Sequence, residues 1–300
     1  MSEARTREGY FATITAFLIW GLLPLYLRLL REVAPLEIMA HRVLWSCVLV
    51  YAFLFWKKQP RAPFAALREP RTRLGLLASA VLVSANWLVF VYAVAAGRTV
   101  DASLGYFINP LLNVVLGVLV LRERLRPLQW LAIALAACGV TWLTWSAGAV
   151  PWLALILAVS FASYGLIRKV IAVDAVAGLA AETTLIVPFA LGYLLLHPTP
   201  REPSTFAWLM FGGLVTAVPL ALFAHGARLI PLATVGLIQY LAPSLQFTTG
   251  VVAFGEPFTR ERAIGFAIIW SALALYAGED LVRRALSRPR SDRDPGTSPP

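Results

Sequence analysis

The feature that most limits what this chain can fold into is its division into apolar blocks of about bilayer length. A hydrocarbon core of roughly 30 Å is crossed by about 20 helical residues. Ten blocks of that order can be marked, at about 10–29, 36–56, 74–95, 100–121, 127–145, 150–167, 176–196, 206–227, 232–254 and 263–282. Lipid offers no partner to a backbone N–H or C=O, so such blocks must be helices. Composition agrees: 59% of the residues are apolar and only 14% charged, against about 25% charged in a soluble domain. The mean hydropathy is +0.73. The sequence therefore predicts an all-α integral membrane protein with ten transmembrane helices. The first block follows the short tail "MSEARTREG" without a small-residue cleavage site, so it is expected to be a retained span. Cys47 and Cys138 lie within blocks and lack metal-like spacing; both are expected to be buried small hydrophobes.

The net charge of +10 would fit a nucleic-acid binder if it were clustered on one face, and it is not. With the N-terminus placed in the cytoplasm, the inner segments hold 19 of the 26 basic residues, from Arg5 and Arg7 through Lys57–Arg73, Arg122–Arg126, Arg168, Lys169 and Arg228 to the tail. The outer loops hold six, and Arg42 is the remaining one. This asymmetry predicts cytoplasmic N and C termini in a multi-pass protein of the cell inner (plasma) membrane. Its basic excess would meet anionic membrane lipids, with no nucleic acid as partner.

The chain also matches itself. "ASLGYFINPLLNVVLGVLVLRERL" and "ATVGLIQYLAPSLQFTTGVVAFGEPF" align on Pro110 and Pro243, which pairs Asn113 with Gln246, Gly117 with Gly250 and Glu123 with Glu256. Two halves of five spans follow, about 1–147 and 148–284, ahead of a Pro-, Ser- and Arg-rich tail, 285–300, expected to be disordered. Five is odd, so the second half must insert upside down. Inverted repeats around a midplane site are a recurring plan of secondary transporters.

Several stretches carry a family resemblance: "FLIWGLLPLYLRLL", "EIMAHRVLWS", "SANWLVFVYAV", "DASLGYFINPLLNVVLG" and "ERLRPLQWLAIALAACGV", with "RKVIAVDA" and "GLIQYLAPSLQF" in the second half. They resemble the RarD branch of the EamA/drug-metabolite transporter (DMT) superfamily over about residues 9–282. The resemblance implies a permease of two inverted five-helix EamA-type repeats around a central cavity. It also implies a chloramphenicol-sensitivity phenotype and leaves the physiological substrate open.

Polar residues inside the blocks are the candidate site. A mid-bilayer Arg costs roughly 2.5–3.5 kcal/mol on insertion scales, so it usually faces protein or water. Arg42 is the basic residue read as lying well inside a block. It is expected to line a cavity or contact substrate, with snorkelling to the outer surface or an ion pair within the protein as open alternatives. His41 and Trp45 lie on the neighbouring stripe of the same helix, with Glu37 one turn before them. In the fourth block Tyr106, Asn109 and Asn113 flank Pro110; in the ninth Gln239, Tyr240 and Gln246 flank Pro243. Each proline removes one helical N–H and frees the carbonyl four residues back. Asn86 of the third block is a further cavity candidate, and Trp87 is read as packing or belt. The amides either line the cavity or bond neighbouring helices. Glu182, placed about 12 Å from Arg42 in depth, is a gate or proton-coupling candidate along with Pro110 and Pro243, and a direct bridge to Arg42 is not expected. Glu123 and Glu256 are expected to cap the helices that follow them.

No HExxH, paired carboxylates, Walker motif or filter-like ring is visible, so neither an enzyme nor an ATP-driven pump is expected, and no cofactor or metal. The reading is a secondary transporter of small organic molecules working by alternating access, in the export direction, as monomer or homodimer. An importer or exchanger of metabolites such as amino acids is the alternative.

Overall fold

A computed structural model describes residues 3–95, 99–146, 148, 152–198, 201–254 and 259–286. Those residues form thirteen α-helices and no strand. In chain order they are α1 Glu3–Gly21, α2 Leu23–Leu29, α3 Pro35–Trp56, α4 Ala62–Arg68, α5 Pro70–Ala95, α6 Thr99–Leu119 and α7 Pro127–Ser146. Then come α8 Trp152–Val170, α9 Ala175–Leu196, α10 Pro203–Leu229, α11 Leu232–Ile238, α12 Leu241–Phe254 and α13 Arg260–Leu286. Among the described residues, seven stretches are long and apolar enough to cross a membrane, and shorter apolar helices accompany them at Gly105–Leu119 and Ala263–Ala272. Glu256 and most of the tail lie outside the described residues.

Helix boundaries follow local chemistry. Proline stands in the first turn of α2, α3 and α10, where its missing N–H costs nothing. Asp174 caps α9 by accepting from the Val176 and Ala177 amides. Glu69 does the same for α5 through the Arg71 and Thr72 amides. Those hydrogen bonds, Thr72 first, hold the Glu69 carboxyl below the usual carboxylate range.

Two expected spans are interrupted. The first is split into α1 and α2 at Leu22, just before Pro24. Pro24 leaves the Trp20 carbonyl without its helical donor, and the Gln246 side-chain amide donates to that oxygen at 3.1 Å. The ninth is split into α11 and α12 at Gln239 and Tyr240, ahead of Pro243. There the amides of Tyr240 and Ala242 bond three residues back, to Leu237 and Gln239. In contrast, α6 continues through Pro110.

Helices from the two expected halves pack on each other: α1 on α10, α10 on α3, α3 on α9 and α7 on α13. α6 and α8 meet at Gly105, where a Cβ would overlap the Ala154 carbonyl; the helix crossing needs that missing side chain. One apolar core joins Phe17, Trp20, Phe161, Tyr164 and Phe223. A second gathers Phe107, Tyr240 and Phe266 with Ala132 and Ala136. Outside, Phe11, Trp56, Trp145, Leu195 and Val252 are exposed, as lipid contact requires. Cys138 belongs to this outer surface and Cys47 is half-buried, so the expectation of two buried thiols is corrected.

Candidate functional site

A small cavity lies between α1, α2, α5, α6, α8 and the α11–α12 break. Phe17, Trp20 and Leu23 form one wall, and Trp87, Phe90, Tyr106 and Phe161 another. Gln239, Ala242, Pro243 and Gln246 close it along the broken helix. The break therefore sits at the cavity, where irregular membrane backbone is tolerated because it lines a space rather than lipid. The expected lining residues Tyr106, Gln239 and Gln246 are gathered here, together with Pro243, expected as a gating residue.

The other amides hold helices together. Asn109 Nδ2 donates to the Ala158 carbonyl at 2.8 Å. Asn113 Nδ2 donates to Asn109 Oδ1 at 3.2 Å and Gln239 Oε1 at 2.8 Å. This chain ties α8, α6 and α11 together behind the cavity wall. Asn86 Nδ2 bonds the Leu157 carbonyl and the Ser160 hydroxyl. Cavity lining by Asn86, Asn109 and Asn113 is thus corrected to helix bonding through their Nδ2 donors, while Asn86 Oδ1 and Asn113 Oδ1 are buried without a partner among the described residues.

His41 and Trp45 are also redirected. Both meet Phe206 on α10 in near-perpendicular ring contacts, and Trp45 packs where Gly213 leaves room. Tyr240 is buried in the second core, stacked on Phe107 at 6.2 Å, because the break turns it away from the lumen. Pro110 packs through its carbonyl against Gly236 on α11.

Arg42 is 1% exposed, so it does not snorkel. Nε donates to Thr216 Oγ1 at 2.7 Å, and Thr216 stands halfway along α10. The guanidinium carbon is 3.5 Å from the centroid of the Trp87 ring, and Trp87 is itself a cavity wall. Nη1 and Nη2 are buried without a hydrogen-bond acceptor among the described residues. The nearby Glu37 carboxylate is occupied elsewhere, taking two hydrogen bonds from Arg201 at 2.9 and 2.6 Å. Those bonds bind the proton on Arg201 more firmly than usual.

Sequence reasoning missed a second buried arginine. Arg168 was assigned to an inner loop, yet it is 2% exposed. Its Nη1 lies 3.5 Å from Glu182 Oε1, and Nη2 donates to the Ala175 carbonyl at 3.0 Å. Glu182 also accepts from Ser79 Oγ at 2.5 Å. Gly178 makes this possible, since a Cβ there would overlap the guanidinium. The signal was the "RK" pair ending an apolar block, of which one member turns inward. Lys169, the other member, donates to the carbonyls of Ala227 and Ile230 and lies 3.7 Å from Glu123. Glu123 accepts from the Leu232 amide at 2.8 Å. It therefore caps α11 across the molecule. His225 pairs with Glu8 at the same end of the bundle, as an interfacial side chain.

This arrangement can be set beside known proteins. The EamA-like transporter family matches residues 7–145. An uncharacterized transporter of Pseudomonas aeruginosa is 44% identical over 92% of this chain and 95% of its own. Protein RarD of Escherichia coli K12 is 40% identical over 92% of this chain and 96% of its own. The chain belongs to the RarD branch of the EamA-like transporters. A solved crystal structure, 20% identical, superposes with a TM-score of 0.71 over 95% of this chain and 100% of its own, which shows the shared fold. This RarD-type protein is thus a multi-pass membrane transporter of the DMT kind, and its cavity and buried ions belong to a permease.

Proposed function

We propose that this RarD-type chain is a secondary transporter that exports small organic molecules across the cell inner membrane by alternating access. The observation that carries the reading is the cavity at the α11–α12 break, walled by aromatic rings and two glutamine side chains. Discontinuous helices at a membrane-buried site are how transporters present polar groups to a substrate.

Ten spans arranged as two inverted repeats, 1–147 and 148–284, complete the proposal, with α6, α11–α12 and α13 as the remaining crossings. The shared register of Pro110 and Pro243 supports the repeat, and the placement of 19 of 26 basic residues supports cytoplasmic termini. In that orientation the inner end is tied shut. Arg168 and Glu182 join α8 to α9, Lys169 and Glu123 hold the start of α11, and Arg228 donates to the Val173 carbonyl. The cavity residues of α1 and α5 fall in the later half of each helix, toward the opposite end. The arrangement fits an outward-facing conformation in which the Arg168–Glu182 contact is an inner gate. A relative in Pseudomonas aeruginosa bears the name chloramphenicol-sensitive protein RarD, and amphipathic aromatic compounds of that general kind suit the aromatic walls.

Proteoliposomes holding the purified chain test the reading. Saturable, protein-dependent flux of at least one member of a panel of neutral, anionic and cationic aromatic compounds is expected. Flux no greater than in protein-free vesicles across the panel would refute it. Under an imposed pH gradient, Glu182→Gln should abolish any proton dependence if Glu182 carries the coupling proton; retained dependence excludes that role.

A further inference from the structure

Among the described residues Arg42 differs from the other fully buried arginine, Arg168, in having no carboxylate partner. Arg168 also has two nitrogens without hydrogen bonds, Nε and Nη1, but Glu182 lies 3.5 Å from Nη1 and Nη2 donates to the Ala175 carbonyl; the partly buried Lys169 has two carbonyls and Glu123 at 3.7 Å. Arg42 spends one N–H on Thr216 and leaves both terminal nitrogens buried without acceptors. Unpaired donors on a buried ion are costly, and such arrangements persist where a ligand supplies the missing partner. The Trp87 ring lies across the guanidinium face at 3.5 Å, and that ring borders the cavity. No Asp or Glu is among the cavity-lining residues, and Glu37, one turn away, is taken by Arg201. Among the described residues, the titratable groups that act on Arg42 are the phenols of Tyr26 and Tyr106. Tyr26 donates to the Trp208 carbonyl, and Tyr106 stands in the cavity wall.

Building on the transporter reading, we infer that Arg42 is the anchor for a carboxylate on the transported molecule, and that Trp87 is a movable cover the substrate displaces. A guanidinium fork matches a carboxylate with two parallel hydrogen bonds. Stacking on an indole holds the charge in hydrocarbon until that partner arrives. The remaining wall, Phe17, Trp20, Phe90 and Phe161, suits a flat apolar body attached to the carboxylate, with the Gln246 and Gln239 side chains at its edge. The substrate class is therefore an aromatic or apolar monocarboxylate.

The test is equilibrium binding to the purified full-length chain in detergent, using phenylacetate, phenylacetamide and phenethylamine, and the indole series indole-3-acetate, indole-3-acetamide and tryptamine. Each carboxylate should bind at least about tenfold more tightly than its amide, the equivalent of one charge-assisted hydrogen bond. Arg42→Met should remove that preference, and Arg42→Lys should keep part of it. Trp87→Leu should strengthen carboxylate binding several-fold, because no cover has to move. Equal or tighter binding of the amides or amines, or no binding of either carboxylate, overturns the anchor. An undiminished preference in folded Arg42→Met does the same, and weaker carboxylate binding in Trp87→Leu overturns the cover. If Arg42→Met does not fold, the wild-type ranking alone decides. Charge-selective binding without flux in vesicles would leave the anchor standing and sink the transporter reading; flux of neutral compounds without charge selectivity would do the reverse.

Discussion

Arg168 lies 3.5 Å from Glu182 and donates to the Ala175 carbonyl, whereas Arg42, equally buried, meets one hydroxyl and one indole ring. The two positions are separated along the bundle. Arg42 reaches Thr216 on α10, while the layer beside Arg168 is marked by Phe223 stacked on Tyr164, seven residues or about 10 Å further along that helix. Near the tied end the protein neutralises its cation from α9, with Ser79 of α5 holding the carboxylate. Beside the cavity it withholds a counterion. A buried pair fixes geometry and contributes little net stability, but breaking it leaves an uncompensated charge. A lone buried cation carries that cost already in the resting protein, which makes sense where something else binds it.

The comparison predicts opposite outcomes for similar substitutions. Glu182→Leu should be the most damaging single change, at about 3–5 kcal/mol, because it strands Arg168 in the bundle. The double variant Arg168→Met with Glu182→Leu should recover most of that loss. Thermal unfolding in detergent measures both, and a double variant no better than Glu182→Leu would show that Arg168 is already satisfied by Ala175 alone. Arg42→Met should leave the melting temperature near wild type or raise it, because it removes two orphan donors and keeps the apolar stem. Its cost should fall on substrate flux, by about tenfold or more. A large stability loss with normal flux would make Arg42 a structural ion like Arg168 and erase the contrast.

How much of this was legible in the sequence differs between the two arginines. Arg42 stands alone in an apolar block and declares itself. Arg168 sits at a block's end next to Lys169, where basic pairs are normally read as topology signals, and only the packing of α8 on α9 turns it inward. The membrane class followed from block length, because bilayer thickness leaves no alternative to helices. The amides were read less well. Spacing puts Asn109 and Asn113 on one face of α6, but which neighbour that face meets is a tertiary fact. The prolines were ambiguous for a similar reason: Pro110 and Pro243 align when the sequence is matched against itself, yet α6 runs through one and the other follows a break. Glu123 shows the same limit. That it would cap a helix was legible; that the helix would be α11, 109 residues away, was not.

A smaller effect separates the rim from the two buried layers. Glu37 and Arg201 form a bidentate pair near the starts of α3 and α10, with Arg201 partly exposed. Water can replace the lost partner there, so Glu37→Gln should cost about 1 kcal/mol or less. Chemical denaturation at low and high salt checks it: a salt-dependent loss of that size fits a rim contact. A loss of several kcal/mol would place Glu37 with Glu182 as a counterion the bundle cannot release.

The smallest predicted change concerns the cavity wall itself. The Trp20 carbonyl loses its helical donor to Pro24, and Gln246 supplies the replacement from α12. Gln246→Leu keeps the volume and removes that hydrogen bond, so a neutral carbonyl at the cavity edge is left to find water. The expected cost is about 1 kcal/mol in unfolding, with the cavity's charge preference unchanged because Arg42 and Trp87 are untouched. Measuring carboxylate against amide binding in this variant isolates the anchor from the rest of the wall. If the preference collapsed with Gln246, selectivity would belong to the broken helix, and the difference between the two arginines would be one of packing alone.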